Sequence, residues 1–435
     1  MYHLQPVLAT IAVGSQYALI HVTLGFTTAF TPATSHLRSI AVAAILALAL
    51  SIQIAVQHAA NIPNPVRGIL ALGAWIQVFN SLDILLHTRI TYAEHIQWVK
   101  EKKKQRGGLE LTPAVTALQF SLTIPNNLRR VGTKWQITPL YSFNSGSSPG
   151  TIPGRAEFLA ARWKSIFLLS GTAAFLFIAC SHLNWIPKQR DLLLLDLEQQ
   201  GSLLDTSWES LLTQLHPVLF FIITLFMLHK TLYNLISIAA VSLHLSYPAN
   251  WPPFQASPRE AWTVRRFWGQ FWHQCFRAFL AANADFFIPS TRRPSPSPSP
   301  RGGRRRRRTM TIPSQYARYF ICFAISGLIH HLLDLAAGIR PRDSGAMQFF
   351  LVQPIAFAVE DVAAYLATRC IPASIRDEVA TTTTTTTTTR VIGYFWVMAF
   401  SLWSWRPWAL PVLRRALEVR EPISSIWFLG LRGGI

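Results

Sequence analysis

Apolar runs of about 20 residues recur along the whole chain and constrain its fold more than any other feature. A helical run of this length spans the ~30 Å hydrocarbon core of a bilayer, at ~1.5 Å per residue. Hydrophobic residues make up 50% of the chain and charged residues only 14%. We therefore predict one all-α, polytopic transmembrane helical bundle, although 435 residues would also allow two or three soluble domains.

Run length and flanking charges predict about eight spans. They fall at 6–28, 38–58, 67–88, 163–183, 211–243, 314–337, 346–366 and 391–413. The 211–243 run is too long for one upright span, which indicates a tilt, a bend near Pro217 or an extension beyond the bilayer. No Lys or Arg precedes Arg38, so the first run lacks the basic region of a signal peptide and is expected to remain as a span.

The loops between the runs differ in charge, and the difference predicts their orientation. Residues 89–162 and 244–313 are basic, whereas 184–210 are acidic. Basic loops stay on the cytoplasmic side, so we place the acidic loop and the N-terminus in the lumen, with the endoplasmic reticulum as the expected membrane. The net charge of +20 then reflects loops that face anionic lipid, and no nucleic-acid partner is expected. The arginines that follow residue 413 argue against eight spans, because that count makes them lumenal.

These features divide the chain into N-terminal spans over 1–90, a basic cytoplasmic loop over 91–162 and a core of spans over 163–435. Two low-complexity inserts interrupt the core. Residues 291–310 contain a Pro/Ser tract and five consecutive arginines, and residues 381–389 are all threonine. We expect the arginines to form a solvated charge run beside the membrane and the threonines to form a surface insert.

The stretch Ile325–Asp334, ISGLIHHLLD, is as apolar as a span but carries two histidines and an aspartate. Ionisable groups within a membrane are costly and commonly functional. In a helix, His330 and Asp334 lie on one face, whereas the adjacent His331 points about 100° away. The two histidines therefore do not form a simple metal site, and no metal is expected.

His330 is the residue of this stretch that suits acid–base chemistry. Burial disfavours the charged imidazole, so a neutral His330 is free to accept a proton from a hydroxyl group. Ser326 lies four residues earlier on the same face, and Gly327 lets another helix or a substrate approach closely. The alternative is a structural histidine that bonds to a neighbouring helix.

A second stretch, RRFWGQFWHQCFR at 265–277, is dense in aromatic residues and has arginines at both ends. As an α-helix it would place Trp268, Phe271, Trp272 and Cys275 on one face, which suits an amphipathic helix in the headgroup plane. That interpretation gives no role to His273. The four cysteines of the chain lack CxxC spacing and are interpreted as buried hydrophobes.

Together, FWGQFWHQ at 267–274 and SGLIH at 326–330 resemble the wax-synthase-like branch of the membrane-bound O-acyltransferases, which includes fungal acetyltransferases of terpenoid and trichothecene pathways. Further stretches are similar in the same order, namely NLRRVGTKWQ at 127–136, FFLVQPIAFAVED at 349–361 and GYFWVMAFSLWSWRPW at 393–408. The resemblance covers roughly 125 to 410. One departure is Arg130, which stands where the branch is expected to have glycine.

The resemblance implies an acyl-CoA-dependent O-acyltransferase with His330 as catalytic histidine and His273 as the second catalytic position. The donor, acetyl-CoA or another acyl-CoA, enters from the cytosol and meets a lipophilic alcohol in a membrane tunnel, without a bound cofactor. The supporting residues are Trp272, Asp334, Trp268 and Gln274. Candidates for binding the CoA phosphates are Arg129, Arg130, Lys134, Arg265 and Arg266. Asp334 either orients His330 or faces water at the lumenal helix end.

The sequence is also compatible with several alternatives. The same family resemblance allows a long-chain wax ester synthase in place of an acetyltransferase. A transporter could use His330, Asp334, Glu360 and Asp361 as a proton relay, but it predicts inverted repeats, and none is evident between the halves. A third reading is a non-catalytic scaffold. The GSSPG match to a hydrolase elbow at 146–150 lacks the strand and helix that this motif requires.

Overall fold

The computed structural model describes residues 4–59, 62–105, 116–138, 140–141, 143, 151–182, 208–272, 274–288, 311–370 and 383–418. The arginine tract, residues 184–207 of the acidic loop and His273 lie outside these residues. Within them, every regular element is helical, as the sequence predicts.

A long helix lies at each of the predicted apolar runs. The helices are α1 (Leu4–Phe30), α2 (Leu37–His58), α3 (Asn64–Ser81), α4 (Tyr92–Gln105), α5 (Ala117–Thr123), α6 (Arg155–His182), α7 (Trp208–Ser242), α8 (Arg277–Phe287), α9 (Ile312–Ala336), α10 (Ala346–Cys370) and α11 (Thr383–Glu418). In the described residues, five stretches are long and apolar enough to cross a membrane. They are Leu37–His58, Asn64–His87, Pro217–Ser242, Ile312–Ala336 and Ala346–Ala367. The finer count of eight spans stays a prediction.

The chain folds into two compact units, and the first comprises Met1–Ile137, Cys275–Gly338 and Ala346–Ile355. Here α1 packs on α2 and α5, while α3 packs on α2 and α9, and α8 packs on α9. Aliphatic residues from these helices form its core, because the inward faces of the apolar runs exclude water.

A π-helical segment, Leu82–His87, continues directly from α3. Arg38, only 1% exposed, donates to the backbone carbonyls of Thr31, Leu85 and Ile90. A buried guanidinium is tolerated only when such acceptors satisfy it. Arg38 therefore ties the turn between α1 and α2 to the end of the π-helix.

The second unit comprises Thr138–Gln274, Ile339–Gly345 and Ala356–Ile435. Its helix α7 packs on both α6 and α11. Arg162 joins α6 to α7 by donating to the side-chain oxygen of Asn234 at 3.0 Å and to the carbonyl of Trp251 at 2.7 Å. Pro217 lies inside the long helix α7, at the position where the sequence allows a bend.

The threonine tract, predicted as a surface insert, is in part the beginning of a helix. From Thr383 onward the threonines are helical and form the start of α11, and Thr387 to Thr389 are exposed. A run of identical polar residues has no apolar periodicity, so the sequence pattern does not show that the tract is continuous with the span that follows.

The division of the chain at residues 90 and 162, made from the sequence, concerns membrane topology and stays a prediction.

Candidate active site

His330 lies in α9 of the first unit, and its hydrogen bond defines the tautomer of its ring. Nδ1 is 2.7 Å from the backbone carbonyl oxygen of Ser326, one turn earlier. Because a carbonyl oxygen only accepts, Nδ1 carries the proton, and in the neutral ring Nε2 keeps its lone pair. The side chain is half-buried. In the neutral tautomer, Nε2 is therefore the nitrogen that accepts a proton.

Gly327 is the place where α10 comes close to α9. A Cβ atom built at Gly327 would lie 2.9 Å from the Met347 sulfur and 3.3 Å from the Phe350 Cβ. The Phe350 ring also packs against the His330 ring, with 4.6 Å between their centroids. The predicted close approach at Gly327 is therefore that of another helix, and it brings two apolar side chains beside His330.

Asp334 is fully buried in α9, with 0% exposure. The alternative that it faces water at the helix end is therefore wrong. Buried carboxylates are costly unless they are hydrogen-bonded or paired. Asp334 occupies the face of α9 that carries His330 and Ser326, which keeps the orienting role as the remaining hypothesis.

The aromatic stretch lies in the second unit and is not the amphipathic α-helix that its pattern suggests. A single helical turn, Val264–Arg266, leads into a π-helix, Phe267–Phe271. The backbone is extended at Trp272, with ψ of 179°. Trp268, Phe271, Trp272 and Cys275 therefore do not share one helical face.

Trp272 is buried, with 5% exposure, at the centre of an aromatic cluster. Its ring stacks on Phe267 at 5.4 Å and meets Trp405 edge-on at 6.3 Å. Trp268 packs edge-on against Trp272 at 6.2 Å. Gln274 is also buried, with 2% exposure. The π-helix thus brings Trp268 and Trp272, two of the predicted supporting residues, into one aromatic cluster.

His229 belongs to the same cluster and was missed by the sequence reasoning. Its ring meets Trp272 edge-on at 6.2 Å, and its Nδ1 is 2.6 Å from the carbonyl oxygen of Leu225. This bond leaves Nε2 as the acceptor nitrogen, as in His330. The sequence does contain a signal for this residue, because His229 and Lys230 are adjacent ionisable residues within an apolar run.

Glu360 fixes the start of the aromatic stretch. Its carboxylate accepts hydrogen bonds from the backbone N–H groups of Val264, at 2.5 Å, and Arg265, at 3.2 Å. It also accepts one from the Trp396 indole at 3.0 Å. A carboxylate at a helix N-terminus satisfies free N–H groups and complements their partial positive charge. Glu360 thus has a structural role that the proton-relay alternative does not explain.

The loop NLRRVGTKWQ, in the first unit, folds as consecutive turns held by its own side chains. The Asn127 side chain brackets Val131, accepting from its N–H and donating to its carbonyl at 2.8 Å each. Gly132 has φ of +73°, a conformation that glycine adopts without strain. The Gln136 side chain accepts from the Gly132 N–H at 2.9 Å. Local hydrogen bonds and backbone conformation therefore explain Asn127, Gly132 and Gln136 in this motif.

The basic residues of this loop differ in their surroundings. Arg130 is 1% exposed and forms an ion pair with Asp83 at 2.9 Å, with Asn80 as a second acceptor at 2.8 Å. Lys134 pairs with Glu94, and its side chain is 42% exposed. Arg129 is buried, with 5% exposure. Lys134 is thus the most exposed of the three candidate phosphate ligands in this loop.

A cavity of about 380 Å³ opens beside this loop within the first unit. Its lining includes both polar and aromatic side chains, namely Asp83, Thr88, Arg130, Lys134, Trp135 and Gln136.

Burial raises the pKa of the Cys275 thiol to about 11, and the positive charge of Arg129 opposes this rise. Cys275 is therefore a neutral thiol at physiological pH.

The two arginines of the aromatic stretch are already paired with carboxylates in the second unit. Arg265 bonds to Asp361 at 2.6 Å and lies over the Phe357 ring. Arg266 pairs with Glu260 and lies over the Trp262 ring at 4.8 Å. In the described part of the chain, no three His, Cys, Asp or Glu side chains lie together as metal ligands.

Comparison with known families supports the resemblance that the motifs indicate. Residues 251–352 match the model of the membrane bound O-acyl transferase family. This segment contains FWGQFWHQ, SGLIH and the first four residues of the stretch at 349–361. The resemblance predicted from the motifs is therefore confirmed.

Several fungal acetyltransferases are also similar. The chain is 26% identical to the acetyltransferase nanB of Aspergillus nanangensis over 73% of each chain. It is 36% identical to the acetyltransferase ataH of Aspergillus terreus, over 39% of this chain and 48% of the relative. Identity to the acetyltransferase fsoF of Humicola fuscoatra is also 36%, over 30% of this chain and 28% of the relative. The last two alignments thus span less than half of those relatives, and no solved structure matches the chain.

Proposed function

We infer that this chain is a membrane-bound O-acyltransferase, and we propose that it transfers acetyl from acetyl-CoA to a hydroxyl of a terpenoid or meroterpenoid secondary metabolite. The similarity to fungal acetyltransferases favours acetyl over the long acyl chains of a wax ester synthase. The protein is embedded in a membrane, where a lipophilic acceptor dissolves. We assign no metal or bound cofactor to the reaction.

The orientation of His330 carries the proposal. With its proton on Nδ1 and held by the Ser326 carbonyl, the ring offers Nε2 to the acceptor hydroxyl. Nε2 takes the hydroxyl proton while the oxygen bonds to the thioester carbonyl carbon. The tetrahedral intermediate then expels the CoA sulfur, which takes the proton from the imidazolium. An ester and free CoA result, without a covalent enzyme intermediate.

Other residues support this step in the proposed mechanism. The buried Asp334 stabilises the imidazolium that forms at His330. The indole N–H of Trp272, or the side chain of His273, donates to the developing oxyanion. Trp268 and Gln274 position this segment.

We propose that the donor's nucleotide binds beside the loop at 127–136. The cavity there has Lys134 and Arg130 in its lining, and both charges suit a diphosphate. Arg129, Arg265 and Arg266 are further candidates. Arg130, Lys134, Arg265 and Arg266 each have a carboxylate partner that a phosphate would have to displace. Because this loop is basic, we propose that it faces the cytosol, where acetyl-CoA is made. Eight spans in the endoplasmic reticulum complete the proposed topology.

The test compares His330→Ala with wild type in microsomes that receive labelled acetyl-CoA and a panel of terpenoid alcohols. We expect the rate of ester formation to fall by about 10²–10⁴-fold, the usual contribution of a general base. His331→Ala is the matched control, since it removes the adjacent imidazole, and its rate should stay within about threefold of wild type. Normal turnover by His330→Ala would overturn the assignment.

Donor and acceptor choice separates the two acyltransferase alternatives. Microsomes are supplied with acetyl-CoA or palmitoyl-CoA, and with terpenoid alcohols or hexadecanol. Preference for palmitoyl-CoA and hexadecanol would indicate a wax ester synthase. Proton flux that depends on His330, with no CoA release from any pair, would instead favour the transporter.

A further inference from the structure

Two apolar side chains from the start of α10 border the imidazole of His330. Phe350 packs on the ring at 4.6 Å between centroids, and Met347 lies opposite Gly327, three residues before His330. Both contacts lie within the first unit. The mechanism proposed above uses neither side chain, so their position requires a separate explanation.

The reacting acyl carbon must lie close to these side chains. A hydroxyl oxygen that donates to Nε2 lies ~2.6–3.2 Å away from it, and the thioester carbon lies ~3–3.5 Å from that oxygen before attack. The acyl carbon is therefore within about 7 Å of Nε2. The Phe350 ring already occupies part of that volume.

The Phe350 ring is buried and packs against other aromatic rings. It is 4% exposed. Its ring meets Phe349 edge-on at 4.8 Å and packs against the tilted ring of Phe323 at 6.5 Å. Met347 is half-buried, and its sulfur fills the space left by the missing side chain of Gly327. Methionine is flexible and adapts to irregular gaps. Met347 can therefore fill the volume beside His330 without a steric clash with Gly327.

We propose that Met347 and Phe350 determine acyl-chain length by walling off the volume beside His330 that a tail longer than acetyl would enter. This inference rests on the proposed function, because it requires that the acyl group reacts at His330. Gly327 is needed for the same wall, since any side chain at this position would displace Met347. Met347 and Phe350 are therefore specificity-determining residues and take no part in proton transfer.

The experiment measures donor preference in Met347→Ala and in wild type. Microsomes carrying the full chain receive acetyl-, butyryl- or hexanoyl-CoA with farnesol, geranylgeraniol and sclareol as probe alcohols, and free CoA is measured. We expect the ratio of butyryl to acetyl turnover to rise by about tenfold, the lower end of the discrimination that one methylene gives in an apolar pocket. Met398→Ala is the matched control, because Met398 is 56% exposed, and its ratio should match wild type.

A binding measurement covers the case in which none of these alcohols is acetylated. In detergent, acetyl-CoA should raise the melting temperature of wild type more than hexanoyl-CoA does, since only a bound donor stabilises the fold. The difference should vanish in Met347→Ala. A variant that keeps the wild-type donor ratio and the wild-type melting difference would overturn the inference.

The two levels of the proposal fail in different ways. If wild type releases no CoA and gains no stability from acetyl-CoA, both the acyltransferase assignment and the chain-length inference fail. If CoA release depends on His330 but donor preference is unchanged in Met347→Ala, only the chain-length inference fails. Phe350→Leu is a second variant, in which a smaller aliphatic side chain replaces the aromatic ring. It should also raise the ratio of butyryl to acetyl turnover.

Discussion

Arg130 shows how one residue can be flagged by sequence and explained only by structure. Its φ is +56°, in the left-handed region that favours glycine, which accounts for the glycine expected there from the resemblance. The arginine gains a buried ion pair with Asp83, 47 residues away. Nothing in local spacing connects these two positions, so the pairing could not be predicted from the sequence.

The buried ion pair predicts a loss of stability when its acid is removed. Asp83→Ala leaves the Arg130 guanidinium buried without its carboxylate, which costs about 3–5 kcal/mol in such pairs. Thermal unfolding in detergent measures the loss. Asp343→Ala is the control, because Arg340 and Asp343 are 63% and 35% exposed, and exposed pairs contribute about 0–1 kcal/mol. Equal melting shifts in the two variants would contradict the role given to Asp83.

At the scale of elements, the sequence predicts long helices well and the aromatic stretch poorly. Apolar runs define helices because every backbone group must be bonded within the membrane. The stretch at 265–277 has helical spacing, but its geometry depends on Glu360, which lies about 95 residues later and bonds its first N–H groups. A distant carboxylate sets where the turn begins, and the π-helix then rotates the following rings away from an α-helical face.

Glu360 is therefore predicted to position the segment that carries Trp268 and Trp272. Glu360→Ala should lower the turnover number by about tenfold or more, because small displacements of reacting groups are costly. Glu360→Gln keeps an acceptor oxygen and should restore most of the rate. Steady-state kinetics with acetyl-CoA provides the measurement.

The neighbouring carboxylate is the control for this prediction. Asp361 is 55% exposed in its pair with Arg265, so Asp361→Asn should change the rate by less than about threefold. An unchanged turnover number in Glu360→Ala, or no recovery in Glu360→Gln, would remove the positioning role.

For the whole molecule, composition predicts the class of fold but not its assembly. The excess of apolar residues indicates a helical membrane protein, and five stretches have the required length and hydropathy. The first unit, however, joins Met1–Ile137 to Cys275–Gly338 and Ala346–Ile355. Periodicity along one segment carries no information about which distant segment covers its apolar face, so these pairings were not predictable.

The orientation of the chain in the membrane is a prediction at the same scale. The positive-inside rule places Lys103, in the exposed basic segment of α4, on the cytoplasmic side. With the proposed spans, His58 at the end of α2 is then lumenal. Both side chains are exposed and both belong to the first unit. Single cysteines at the two positions, in a background without the four native cysteines, report on the two sides.

In sealed microsomes, a membrane-impermeant maleimide should label Lys103→Cys and leave His58→Cys unlabelled until detergent is added. The reason is that the bilayer admits no charged reagent to the lumen. Retained acetyl transfer shows that each variant is folded. If both cysteines were labelled before detergent, the proposed number of spans between residues 58 and 103 would be wrong. If only His58→Cys were labelled, the whole topology would be inverted, and the basic loop at 127–136 would face away from cytosolic acetyl-CoA.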